Sequence, residues 1–188
     1  MEEGARNGGG RRGNRLRIAV WSTAAFLWLL PLVAMQFSDG VTWDVPDFIV
    51  FGAMLAAACG TYELATRMTG SRSYRAAVGV AVAAAFILVW MNLAVGLIGD
   101  EGNPANLMFG GVLAVGIIGA LIARFQPHGM AGALVATALA QALVGVIALA
   151  MGSVAAFVLT AFFAAFWLTS ASLFRKAARE LVPAGAAQ

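Results

Sequence analysis

The chain has 188 residues, 61% of them hydrophobic and only 11% charged, with a formal net charge of +3. Soluble domains run at about 45–50% apolar and about 25% charged residues, so this composition, with a mean hydropathy of +0.85, excludes a water-soluble globule and points to an integral membrane protein. A single cysteine, Cys59, and a single histidine, His128, exclude an intrachain disulfide, a bis-histidine haem and a multi-histidine zinc centre.

The N-terminal EEGARNGGGRRGNR is glycine-rich, polar and basic, and residues 1–17 read as a disordered cytoplasmic arm. The hydrocarbon core is about 30 Å thick and a helix rises about 1.5 Å per residue, so each crossing takes roughly 20 mainly apolar residues. Six runs meet that requirement: Ile18 to Phe37, Phe48 to Thr66, Ala76 to Gly99, Leu107 to Ala123, Met130 to Met151 and Val154 to Phe174. Membrane-spanning strands would alternate apolar and polar residues, which AVGVAVAAAFILVWMNLAVGLIG does not.

Turn formers and charges punctuate the runs at SDGVTWDVPD, RMTGSRSY, DEGNP and RFQPHG, whereas only Gly152 and Ser153 divide the last two. One helix from Met130 to Phe174 would be about twice as long as the core is thick, so a tight hairpin is expected there. The predicted fold is all-α, a bundle of six transmembrane helices over residues 18–174 with a cytoplasmic tail at 175–188. Pro31 lies inside the first run and is expected to kink it. The length of that run and its proline argue against a cleaved signal peptide.

All twelve Lys and Arg residues lie in four places: before the first run, after the second, after the fourth and after the sixth. Those segments share one side of a six-span chain, while Asp39, Asp44, Asp47, Asp100 and Glu101 fall in the opposite loops. The positive-inside rule therefore places both termini in the cytoplasm. The basic residues flank spans, where they attract anionic lipid heads at about 1 kcal/mol each, so membrane lipids rather than nucleic acid are the expected partners.

Few polar groups enter the runs. Glu63 is followed at i+4 by Arg67, a spacing and order that favour an interfacial ion pair, with Arg67 snorkelling to the lipid heads. A sharper reading of Glu63 is a proton or cation relay, because an ionisable group within a span is costly to keep. Asn92 and Gln141 lie deeper and read as hydrogen-bonding links between helices. If they converged with Glu63, Tyr62 or Thr137 they would line a polar pocket. Small residues recur at Gly52, Ala56 and Gly60, at Gly132, Ala136 and Ala140, and at Gly116 and Ala120. Such stripes serve intrachain packing or dimerisation, and packing is the preferred reading.

Between the third and fourth runs stands DEGNPAN. Asn103 is a favoured N-cap and Pro104 a favoured first helical residue, so Asp100 and Glu101 read first as part of a helix-turn-helix connection. A weak cation site on Asp100 and Glu101, shared with Asp39, Asp44 or Asp47, is the alternative. Adjacent exposed carboxylates rarely acquire the separated pKa values that acid–base catalysis needs.

IGDEGNPANLMFGGVLAVGIIGALIARFQPHGMAGALVATALAQALVGVIAL, with TYELATR and SLFRKAAR, resembles a family of small uncharacterised bacterial inner-membrane proteins, and GNPANLM is the most specific part of the likeness. The resemblance implies a bacterial inner membrane and transfers no functional residue or cofactor. The residues themselves leave three classes open. An accessory or interaction subunit that packs with another membrane protein or a second copy is preferred. A small transporter or channel with a pathway near Glu63, Asn92 and Gln141 is the alternative. An intramembrane enzyme is disfavoured because no recognisable catalytic spacing is present.

Overall fold

The computed structural model describes residues 3–38, 40 and 42–181. Among them are six α-helices and no strand: α1 (Glu3–Ala34), α2 (Val45–Met68), α3 (Arg72–Ala94), α4 (Leu107–Ile122), α5 (Pro127–Ala150) and α6 (Val154–Leu181). All six are long and apolar enough to cross a membrane, with α4 reaching 19 residues once its 3-10 lead-in at Pro104–Asn106 is counted. The helix count and the fold class read from the sequence are therefore those observed. By packing, the chain divides into two compact units, Met1–Leu64 and Ala65–Gln188, so that the last turn of α2 belongs to the second.

In the first unit α1 is helical from Glu3, within the segment expected to be a disordered arm; adding turns to an existing helix costs far less than nucleating one. Pro31 lies in the last turn of α1, four residues before Met35 N–H bonds its carbonyl at 2.9 Å, and the helix stops at Ala34. Large side chains set the contact between α1 and α2. The Trp28 indole donates to the Phe48 carbonyl at 2.9 Å and packs edge-on against the Phe48 ring, and Trp43 packs edge-on against Phe48 and Phe51. Gly52 makes room for this, since a Cβ there would stand 2.8 Å from Trp28 Nε1. Asp44 and Asp47 form a reciprocal cap on α2, each carboxylate accepting the other's backbone N–H at 3.0 Å.

The second unit holds α3 to α6. Helix α5 packs on α4 and on α6, and α6 packs on α3, so the spatial order is α4, α5, α6, α3. Its core contains Leu88, Phe109, Phe163 and Phe174, with Ala77, Ala148 and Ala177 fully buried beside them. The predicted hairpin is present: Gly152, at φ +85°, closes α5 with its N–H on Leu149 and that of Ser153 on Ala148, both at 2.9 Å. This pair of bonds satisfies carbonyls that the end of a helix would otherwise expose.

Helix α4 ends in the same pattern without a glycine. Arg124 donates to Leu121 and Phe125 to Ala120, and Arg124 and Phe125 both lie in the left-handed region, at φ 50° and 58°. An L residue there costs roughly 1 kcal/mol that glycine avoids. Arg124→Gly is therefore expected to stabilise the detergent-solubilised protein by about 0.5–1 kcal/mol, read as a raised thermal midpoint.

The small-residue stripe predicted on α5 is not where α5 packs. Gly132 and Ala136 are exposed, and nothing would meet a Cβ on Gly132. The contacts lie one residue round the helix: Ala133 against Gly119 of α4, Thr137 against Gly116, and Gly145 against Thr160 of α6. The α4 stripe does serve intrachain packing, through Gly116.

Candidate functional site

Three polar groupings stand in or beside the spans. The first lies within the first unit. Arg17 and Trp21 are one turn apart on α1 and so share a face. Arg17 Nε stands 3.4 Å from one oxygen of Glu63, and Trp21 Nε1 donates to the other at 2.9 Å. The Glu63 side chain is 20% exposed and that of Arg17 58% exposed. Arg67 follows one turn later on α2. Sequence spacing pointed only to Arg67 as the partner of Glu63, because Arg17 is distant in the chain.

The second grouping is the core of the second unit. Gln141 is completely buried and accepts from Trp167 Nε1 at 3.4 Å, tying α5 to α6, while its own amide nitrogen has no partner among the described residues. Thr137, one turn earlier, returns its hydroxyl to the Ala133 carbonyl at 2.9 Å. Ser170 donates to the Ala77 carbonyl at 2.7 Å and ties α6 to α3. Asn92 belongs elsewhere. It lies near the end of α3 and donates to the Asn106 carbonyl at 3.3 Å, leaving its side-chain oxygen without a partner among the described residues. Asn92 and Gln141 are thus held by different partners on different helices. Tyr62 is half-buried on α2 in the first unit.

The third grouping is the acidic end of the second unit. The apolar tail VGLIG does not continue α3, which stops at Ala94. Leu97 and Ile98 turn back into the core between Gly96 at φ +68° and Gly99 at φ +74°. Asn106, 4% exposed, holds them: its side-chain oxygen accepts from Leu97 N–H at 3.0 Å and from Ile98 N–H at 2.9 Å, and its amide donates to the Asp100 carbonyl at 2.7 Å. Asn103 caps the 3-10 turn through Ala105 N–H at 2.9 Å. The Asp100 and Glu101 side chains are exposed on this turn. Asp44 and Asp47 are engaged in capping α2, and Asp39 lies outside the described residues. Among the described residues no three His, Cys, Asp or Glu side chains gather where a metal ion could be held.

A fourth arrangement, at the opposite, basic end of that unit, has no signal in the residue spacing. Ser73 and Ser71 donate to the two oxygens of Glu180 at 2.6 and 2.9 Å across 107 and 109 residues of chain, and Ser71 also caps α3 through Tyr74 N–H. Tyr74 donates to the Phe125 carbonyl at 2.7 Å and packs edge-on against Phe174. Glu180 lies beyond the apolar run that ends at Phe174. The Ser73 hydrogen bond first, then that of Ser71, hold its carboxyl below the usual carboxylate value; burial opposes them, and the nearby Lys176 charge adds a lesser pull downward. With the folded value below the unfolded one, the stabilisation is complete above the ordinary carboxylate range and is lost as pH falls through the lowered value. Thermal midpoints measured down an acid series should therefore fall, and Ser71→Ala with Ser73→Ala should flatten that fall.

Comparison with protein-family models, curated proteins and solved structures finds no match for this chain.

Proposed function

We propose that the chain is a multi-pass protein of the bacterial inner membrane with both termini in the cytoplasm, acting as an accessory subunit that packs against another membrane protein or a second copy of itself. The observation that carries this reading is the exposed small-residue face of α5. Gly132 and Ala136 face away from the helices of their own unit, although close backbone approach is what such residues permit. The placement of the basic residues supports the orientation, and the resemblance of the GNPANLM region supports the membrane.

A photo-cross-linking residue at Ala136 is expected to give a discrete adduct with one membrane protein or with a second copy. Adducts with lipid alone would sink the proposal.

A small transporter remains the second reading, favoured by the Gln141 amide nitrogen and the Asn92 oxygen, both buried without partners among the described residues. On that reading Glu63→Gln and Gln141→Leu each abolish a proton- or cation-dependent flux in proteoliposomes. Absence of flux from the parent protein removes it.

A further inference from the structure

We propose that the basic end of the second unit binds the phosphates of anionic phospholipids through a cluster of Arg72, Lys176 and Arg179. Arg72 opens α3, and Lys176 and Arg179 lie in the last turns of α6, so nothing in the sequence places them together. Glu180 does so in the fold. Its two oxygens are bonded to Ser71 and Ser73, the residues on either side of Arg72. Lys176 lies one turn before Glu180 and acts on its carboxylate, and Arg179 adjoins it. All three cations are exposed, and no carboxylate lies within ion-pair distance of Arg72 or Arg179 among the described residues.

The charge balance leaves room for an anion. Glu180 is the sole described acid at this end of the unit, against Arg72, Arg75, Arg124, Arg175, Lys176 and Arg179. Its oxygens are already taken up by two hydroxyls. Gathering cations around one engaged carboxylate costs repulsion unless a counter-charge is supplied from outside.

Depth identifies the source. The apolar run from Val154 to Phe174 is about 31 Å long at about 1.5 Å per residue, equal to the hydrocarbon thickness, so the turns after Phe174 emerge among lipid heads. Phosphate esters are concentrated there, and guanidinium groups take phosphate in a two-pronged geometry. This inference goes beyond the accessory role and stands without it.

The test uses the full chain in nanodiscs of mixed phosphatidylcholine and phosphatidylglycerol, with retained lipid identified by native mass spectrometry after gentle extraction. The parent should retain phosphatidylglycerol preferentially. Each cation near an anionic surface contributes about fivefold in affinity, so R72Q/K176Q/R179Q should reduce the preference about a hundredfold. Lys176→Gln alone, an exposed change that spares the fold, should reduce it about fivefold.

Ser71→Ala with Ser73→Ala leaves the net charge unchanged but unties Arg72 from Glu180, and it should also weaken the preference. An undiminished preference in the triple variant overturns the proposal, as does one unchanged in the serine pair, which would make the effect diffuse charge rather than a site. Displacement of the lipid by excess inorganic phosphate overturns it too, in favour of a free-phosphate site.

Discussion

Asn106→Ala is expected to destabilise the protein by about 3 kcal/mol, more than truncating any other polar side chain. The substitution removes the acceptor for the buried Leu97 and Ile98 amides and the donor to the Asp100 carbonyl. Each buried donor left unsatisfied costs about 1–3 kcal/mol, whereas an ordinary side-chain bond between membrane helices is worth around 0.6 kcal/mol. Leu97 and Ile98 would also lose the anchor that holds their side chains in the core. Faster hydrogen exchange at those two amides, with α5 and α6 unaffected, is the accompanying signature. A thermal midpoint within error of the parent's would show that the loop is held by something else.

The second large effect is at Gly145. A Cβ at this position would collide with the Thr160 hydroxyl oxygen and lie 3.3 Å from its Cβ, at the tight contact between α5 and α6. Gly145→Ala should therefore cost about 1–3 kcal/mol by overpacking, despite the better helix propensity of alanine. Thr160→Ala removes the obstructing oxygen, which donates to the Phe157 carbonyl of its own helix at 2.8 Å. The double variant should recover most of the loss, a coupling of at least about 1 kcal/mol in a double-mutant cycle. Strict additivity would mean that the helices do not meet there.

What the sequence made legible follows the range over which each signal acts. Span length, turn residues and the Gly152-Ser153 break are local, and they yielded the six helices and the hairpin. The end of α3 was not legible, because VGLIG is apolar enough to extend the span. What stops it is an asparagine eight and nine residues downstream that bonds two backbone amides.

Contact geometry was harder still. Gly132 and Ala136 have the spacing of a packing stripe, yet the face that packs is set by where α4 and α6 lie, which is a tertiary matter. The candidate site fared likewise. Glu63 was visible as an ionisable residue in a span, but its partners Arg17 and Trp21 belong to another helix. Asn92 and Gln141 were visible as polar, and the structure gives each its own partner. Asp100 and Glu101 are exposed on a turn, and the residue that organises that turn is Asn106. The Ser71, Ser73 and Glu180 grouping joins positions too far apart in the chain for any spacing rule to connect.

The connection between α5 and α6 bears on how the protein is made. Met151, Gly152 and Ser153 are all that separate two long apolar helices, and their backbone groups are largely satisfied within the turn. In the proposed orientation this turn is the part that must be carried to the far face during biogenesis. It holds no charge and almost no unsatisfied amide, so little hydration is stripped in transit. The two helices can then leave the translocon together as one preassembled pair, with neither waiting for a hydrophilic domain to cross.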